Sequence, residues 1–254
     1  MDSKSLSVII PAYNEEGNIH SACEDIARVA EKHLSDYEIL VFDDASQDQT
    51  SEVVQQFQKE NSHVLLFRNP VNKGLGYNYR AGILNARCRY AIMVPGDNEV
   101  VADSLEGIFK QVGMTDIIIT YATNPEVRPL WRQRVSGIFT GVLNFLFGLN
   151  VRYYNGPSVI RTDLAREFVS FTNSFAYMAV ILVQLLKSGA SFKQMGFVLR
   201  ARQYGETKAF RLKNVMSVMW DIVSLFWKVT IRRQFKQVLR TQSQDEPEHT
   251  RISP

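Results

Sequence analysis

The sequence is poor in cysteine, in long apolar runs and in excess charge. Only two of its 254 residues are cysteine, Cys23 and Cys88. Both sit in stretches that read as helical with apolar neighbours, so buried free thiols in a reducing compartment are expected. No stretch reaches the roughly 18 to 20 apolar residues that span a bilayer. The longest candidate, "FAYMAVILVQLL", is too short and carries Gln184. The opening "MDSKSLSVIIPAYNEE" breaks its apolar run at Pro11 and does not read as a signal peptide. A net charge of +3 is too small to argue for a nucleic-acid partner. The most local shortage is of acid: residues 168 to 205 hold no Asp or Glu.

What is present is globular: 45% hydrophobic and 22% charged residues, enough for one large domain or two small ones. "LSVII" (6–10), "YEILVFDD" (37–44), "HVLLFRN", "YAIMVPGDN" and "DIIITYA" (116–122) read as strands. Between them "GNIHSACEDIARVAEKH", "TSEVVQQFQKE" and "GLGYNYRAGILNAR" carry apolar residues at helical spacing. This alternation predicts βαβ units and an α/β fold with a mostly parallel sheet flanked by helices.

Ligands of such sheets sit outside the carboxyl ends of the strands. Four polar clusters should therefore share one rim. Tyr13, Asn14 and Glu15 follow the first strand; Asp43, Asp44, Ser46 and Asp48 follow the second. Asn72, Lys73 and Gly74 follow the third, and Asp97 and Glu99 follow the fourth. In "MVPGDNEVV" an extended chain would put Asp97 and Glu99 on one side, with Asn98 turned away. Two hard carboxylates there suit Mg²⁺ or Mn²⁺ shared with substrate phosphates. A capped polar turn is the alternative. "DDASQDQT" has two readings as well: Asp43 toward a ligand, Asp48 and Thr50 as turn and cap of the next helix. The glycines of "GLGYNYRAG" serve either a phosphate loop or close helix packing.

"SVIIPAYNEEGNI", "VFDDASQDQT", "NKGLGYNYRAGI" and the acidic strand end, in this order, resemble family 2 glycosyltransferases of the GT-A fold. "RVSGIFTGVLNFLFG", "YYNGPSVIRTD" and "RARQYGETK" resemble the polyprenol-phosphate branch, of which dolichol-phosphate mannose synthase is a member. The resemblance covers residues 6 to about 230. It implies a nucleotide diphosphate sugar donor, GDP- or UDP-linked, with Pro11, Tyr13, Glu15 and Asp43 at the base and ribose. Asp44, Lys73, Asn155 and Ser158 join them as substrate-binding residues. It implies a metal at Asp97 and Glu99. The family's usual Asp-x-Asp falls here on Pro95 and Asp97, and the following Gln on Glu99, which is a departure.

The second half is rich in arginine, whose planar fork suits phosphate. A lipid phosphate acceptor is already an anionic nucleophile; it needs cations, not a general base. By position, the resemblance implies Arg128, Arg132, Arg202 and Lys208 as the phosphate-handling, catalytic cations beside Asp97. The expected activity is inverting, metal-dependent sugar transfer to a polyprenyl phosphate, peripheral on the cytosolic face of a membrane. "SGIFTGVLNFLFGL" and "VMSVMWDIVSLFWKVTI" are expected as C-terminal amphipathic helices in the membrane interface. Many relatives continue into transmembrane helices, which adds a membrane protein to the expected partners. Residues 1–213 are expected as the glycosyltransferase domain, split into a nucleotide-sugar half (1–122) and an acceptor half (123–213). An interface helix (214–240) and a disordered tail (241–254) follow. A hydroxyl acceptor with Asp163 or Glu167 as base is one alternative. A non-catalytic nucleotide-sugar-binding subunit is the other.

Overall fold

A computed structural model of the chain describes residues 4–168, 174, 176–200 and 212–231. The elements run β1 (Ser5–Ala12), α1 (Ile19–His33), β2 (Asp36–Asp43), α2 (Thr50–Glu60), β3 (Val64–Arg68) and α3 (Leu75–Asn85). Then come β4 (Tyr90–Met93), α4 (Ala102–Phe109), β5 (Ile117–Ala122), a short 3₁₀ turn (Pro125–Val127) and α5 (Leu130–Phe147). β6 (Val159–Arg161), α6 (Thr162–Phe168), α7 (Tyr177–Lys187), β7 (Phe192–Phe197) and α8 (Leu212–Phe226) follow, α8 ending in a π-helical turn (Trp227–Ile231).

The seven strands form one sheet in the order β3-β2-β1-β4-β6-β5-β7. β6 alone runs antiparallel to its neighbours. Every residue of β1 is buried, because helices cover both faces. Its side chains alternate: Ile9 joins Tyr79, Ile83, Leu143 and the α7 residues on one face, while Val8 and Ile10 join Ile19, Ile26 and Phe109 on the other. Each such fully buried aliphatic side chain contributes about 1.5–3 kcal/mol. Gly82 of α3 serves packing: a Cβ there would lie 2.5 Å from Ile9 Cγ2.

The chain leaves β1 toward β2 and β3, then crosses back to lay β4 on the other side of β1. The order therefore reverses between β1 and β4, and a crevice opens at their carboxyl ends. β6 enters between β4 and β5, so the halves 1–122 and 123–213 share one sheet.

Several expectations need correction. The fourth strand ends at Met93 rather than running to residue 98, since Pro95 cannot donate to a ladder. Cys88 is buried and free as expected, but it lies between α3 and β4, outside any helix. α4 and β7 had no counterpart in the sequence reading. Residues 232–254, with the expected tail, lie outside the described residues.

Candidate active site

Two loops build the left wall of the crevice, and they are stitched to each other. Asn14 N donates to Ser46 Oγ at 3.0 Å, and Gln47 N donates to Asn14 Oδ1 at 2.8 Å. Glu15 N donates to Thr50 Oγ1 at 2.8 Å, and Glu16 N to Asp48 Oδ2 at 3.1 Å. Asp48 Oδ1 also accepts Thr50 N at 3.0 Å, so Asp48 closes the turn that opens α2. Pro11 is buried in the last turn of β1, Tyr13 is half-buried beyond it, and Glu15 Oε2 accepts Asn18 Nδ2.

Behind this wall the two adjacent aspartates hold backbone and side-chain donors of neighbouring loops. Asp43 accepts Ser46 N at 2.9 Å and the Ser51 hydroxyl, which ties β2 to α2. The Asp44 carboxylate accepts Asn69 Nδ2, Lys73 N and Gly74 N, each at 2.8 Å. Asp44 therefore holds the loop that puts Lys73 on the rim. Replacing it by alanine would remove the charged acceptor that these three donors share. Asp44→Ala is expected to cost about 2–4 kcal/mol in urea unfolding and to weaken donor binding by displacing the 72–74 loop.

Three non-glycine residues with left-handed backbone follow three strand ends: Asn14 (φ 56°), Ala45 (φ 64°) and Asn98 (φ 53°). Asparagine tolerates this region; alanine there stores strain of about 1 kcal/mol or more. The turn at Asn98 corrects one expectation. Residues 97–99 are not extended, and Glu99 N donates to Asp97 Oδ1 at 3.2 Å across the turn. The outcome is nevertheless the separation foreseen. Asp97 and Glu99 line one cleft together with Met93, Pro95, Arg128 and Asn155. Asn98 lines a different pocket, beside Asn18 and Arg200.

This cleft unites residues from the two halves. Arg128 arrives from the turn before α5, and Asn155 from the loop before β6. Tyr153, which the sequence reading overlooked, positions Arg128: its hydroxyl accepts Arg128 Nη1 at 3.0 Å, and the guanidinium carbon lies 6.0 Å from its ring centroid. The only available signal was the aromatic pair ahead of "NGPS". Phe197 and Leu199 close the far wall, where Leu199 N donates to Asn124 Oδ1.

Other expected site residues fall elsewhere. Ser158 is fully buried behind Gly156 and does not line the cleft; its hydroxyl has no partner among the described residues. Arg132 stands in the first turn of α5, outside the cleft lining. Arg202, Lys208 and "YGETK" lie outside the described residues. Asp163 is paired with Arg161 at 2.5 Å. Arg161 pairs with the first residue of β4, so this group sits at the amino end of that strand, away from the acidic turn. Burial pushes the Asp163 carboxyl up, but the hydrogen bond and charge of Arg161 outweigh it and hold it below its usual range.

The residues present fit a divalent cation in a particular way. Asp97 and Glu99 offer hard oxygens on one open cleft, and Pro95 offers none. Among the described residues no three His, Cys, Asp or Glu side chains gather as a ligand set. Two carboxylates completed by substrate phosphates satisfy Mg²⁺ or Mn²⁺; a protein-only cage is not present there.

Comparison with known proteins agrees with this architecture. The signature of "Glycosyl transferase family 2" matches residues 7–170. The chain belongs to glycosyl transferase family 2. It is 31% identical over 112 residues to a dolichyl-phosphate β-glucosyltransferase of Trichomonas vaginalis, covering 42% of this chain and 35% of that protein. It is 36% identical over 104 residues to the dolichyl-phosphate β-glucosyltransferase of Dictyostelium discoideum, covering 38% and 32%. The family 2 chain thus spans about a third of these relatives' length. An uncharacterized protein of Methanocaldococcus jannaschii is 28% identical over 196 residues, covering 72% and 82%. Among solved structures, glucosyl-3-phosphoglycerate synthase of Mycobacterium tuberculosis, in complex with Mn²⁺, UDP-glucose and phosphoglyceric acid, superimposes with a TM-score of 0.65. The identity is 15%, covering 87% of this chain and 79% of that one. This likeness is one of fold, and it carries the expected GT-A architecture. The dolichyl-phosphate relatives fall in the branch that the motifs resemble.

Proposed function

We propose that this family 2 member transfers a hexose from a nucleotide diphosphate sugar to a polyprenyl phosphate at the cytosolic face of a membrane. The observation that carries the acceptor class is the make-up of the cleft. Among the described residues its acids are Asp97 and Glu99 and its cation is Arg128, and the rival bases Asp163 and Glu167 both stand on α6, outside the cleft lining. A hydroxyl acceptor needs a base to take its proton; a phosphate acceptor needs its charge offset.

In this reading the stitched loops after β1 and β2 hold the nucleoside, with Pro11, Tyr13, Glu15 and Asp43 nearest. Lys73 sits on the rim that Asp44 fixes. Asp97 and Glu99 would hold a divalent cation, whose chemistry would be to offset the charge gathering on the departing diphosphate. Arg128, steadied by Tyr153, meets the acceptor phosphate and aims its oxygen at the sugar's anomeric carbon, opposite the departing nucleotide. Attack from that side inverts the configuration. Asn155 fixes the sugar or phosphate across the cleft. The glucose of the named relatives and the UDP of the structural neighbours make UDP-glucose the first donor to try.

The test is incubation of purified protein with radiolabelled UDP-glucose, Mn²⁺ and polyprenyl phosphate in detergent, followed by solvent extraction. Label in the organic phase, dependent on metal and absent when the polyprenyl alcohol replaces the phosphate, is expected. Equal transfer to the alcohol would return the hydroxyl-acceptor reading. Nucleotide-sugar binding without transfer to either acceptor would leave a non-catalytic binding subunit.

A further inference from the structure

Phe197 and Leu199, the far wall of the cleft, are held from two sides. One side is the acidic turn. Arg200 N donates to Glu99 O at 2.7 Å and Val101 N to Val198 O at 3.5 Å, so Val100 and Leu199 face each other as an antiparallel bridge. In a pair flanked by its bonds in this way, the N–H and C=O of Leu199 itself point away from Val100.

The other side is the end of β5. Pairing of β5 with β7 stops at Ala122 and Phe197. Thr123 N still donates to Phe197 O at 2.9 Å, and the chain then turns off through Pro125–Val127. Pro125 has no N–H to give a ladder. Asn124 continues the ladder with its side chain instead. Its Nδ2 donates to Leu199 O at 2.8 Å, and its Oδ1 accepts Leu199 N at 2.9 Å. A side-chain amide offers a donor and an acceptor side by side, as a strand's main chain does. The local sequence favours another use. Asn124 is the N-cap of the Pro125–Val127 turn, where asparagine commonly accepts from the turn's own N–H groups; its side chain makes no such bond.

The result is a short path across the cleft. Glu99 is bonded to Arg200, and Leu199 to Asn124. Arg128 follows Asn124 by one turn, with Val127 N donating to Asn124 O at 3.3 Å and Arg128 N to Pro125 O at 3.0 Å. The strands that lead to the two ends of this path, β4 and β5, are not neighbours; β6 stands between them. The acids and the cation of the cleft are therefore related through Leu199 and an amide that does not itself line the cleft. Tyr153 aims the Arg128 guanidinium, and Asn124 places the main chain that carries it.

We propose that Asn124 is a positioning residue, which by clasping Leu199 sets the separation of the Asp97–Glu99 turn from Arg128. The clasp is a matter of geometry alone; that transfer depends on the separation rests on the proposed function. A misplacement of about 1 Å costs a reaction of this kind up to about 10²-fold in rate.

The test compares Asn124→Ala and Asn124→Asp with Thr123→Val in the full chain. The aspartate variant keeps an acceptor for Leu199 N but has no donor for Leu199 O. Thr123→Val removes the hydroxyl bond to Phe197 O, 3.1 Å long, from the same strand end and leaves the main-chain bond in place. It controls for the mere loss of a hydrogen bond. Hydrogen exchange, read by mass spectrometry without substrates, is expected to quicken about tenfold or more in residues 97–101 and 198–200 of both Asn124 variants, with β1 and β2 unchanged. Transfer from UDP-glucose to polyprenyl phosphate is expected to fall about tenfold or more in kcat, with Mn²⁺-dependent binding of UDP-glucose kept within about threefold. Thr123→Val is expected to match wild type in both. Unchanged exchange at 97–101 would overturn the clasp. Exchange quickened equally in β1 and β2 would make Asn124 a residue of general stability, and quickened exchange with full transfer would remove its bearing on the reaction; either overturns the proposal. A wild type that transfers nothing counts against the proposed function, and the exchange comparison still decides the clasp.

Discussion

Asp97→Ala abolishes the metal-dependent part of donor binding and lowers transfer by roughly 10²–10³-fold or more. The side chain lines the cleft with Glu99 and Arg128, and Pro95 supplies no substitute ligand. With one carboxylate left, a cation would have little beyond the donor's own phosphates to hold it. The fold should notice the change far less. The bond from Glu99 N to Asp97 Oδ1, at 3.2 Å, is one of the turn's supports, and its loss costs about 1 kcal/mol. The prediction is therefore a split: calorimetric titration with UDP-glucose loses its Mn²⁺ dependence, while the thermal midpoint moves by a few degrees at most. Retained Mn²⁺-dependent binding in the variant would reduce this acidic strand end to a polar turn. Mn²⁺ alone, without nucleotide, should bind the wild type weakly, because two carboxylates make an incomplete shell.

Gly156→Ala is expected to disrupt both stability and site. A Cβ at this position would lie 2.3 Å from the carbonyl oxygen of Thr120 and 2.5 Å from its hydroxyl. The obstacle is backbone. Thr120 belongs to β5, pairs with Met195 of β7 and cannot retreat without opening the sheet. The loop carrying Asn155, Gly156 and Pro157 must move instead, and that loop is a wall of the cleft. A cost of about 2–4 kcal/mol in urea unfolding is expected, with transfer reduced more than tenfold. Gly137→Ala provides the control: nothing lies within 4 Å of a Cβ there, and alanine in a helix is favoured over glycine by up to about 1 kcal/mol. A Gly156→Ala protein as stable and active as wild type would mean that the 155–158 loop has room that this geometry denies it.

Much of the first half was legible because its signals are local. α2 runs over the residues whose apolar spacing foretold it, and β1, β2 and β5 fall within two residues of their expected bounds. The rim followed from parallel strands alone. What was hidden depended on distant partners. Nothing near Asp44 announces that its oxygens are taken by residues 69–74, more than twenty positions on. Nothing near Asp163 says that Arg161 and the amino end of β4 carry it away from the cleft. β7 has a half-exposed, mixed pattern and reads as a strand only once β5 is beside it. The turn at Asn98 reached the expected division of side chains by a left-handed residue rather than by extension.

The antiparallel insertion of β6 also sets the order of assembly on the ribosome. β4 emerges with β1 as a partner on one side, but its other neighbour is made only after α5. The acidic turn thus exists before Arg128, Tyr153 and Asn155 can reach it, and the link from Val100 to Leu199 waits longer still. Until then the nascent chain shows an unpaired apolar strand margin, the kind of surface that recruits other chains. Covering the margin of β4 and bringing Asn155 to the acidic turn come with the same strand, so a protein halted before it is unprotected and incomplete together.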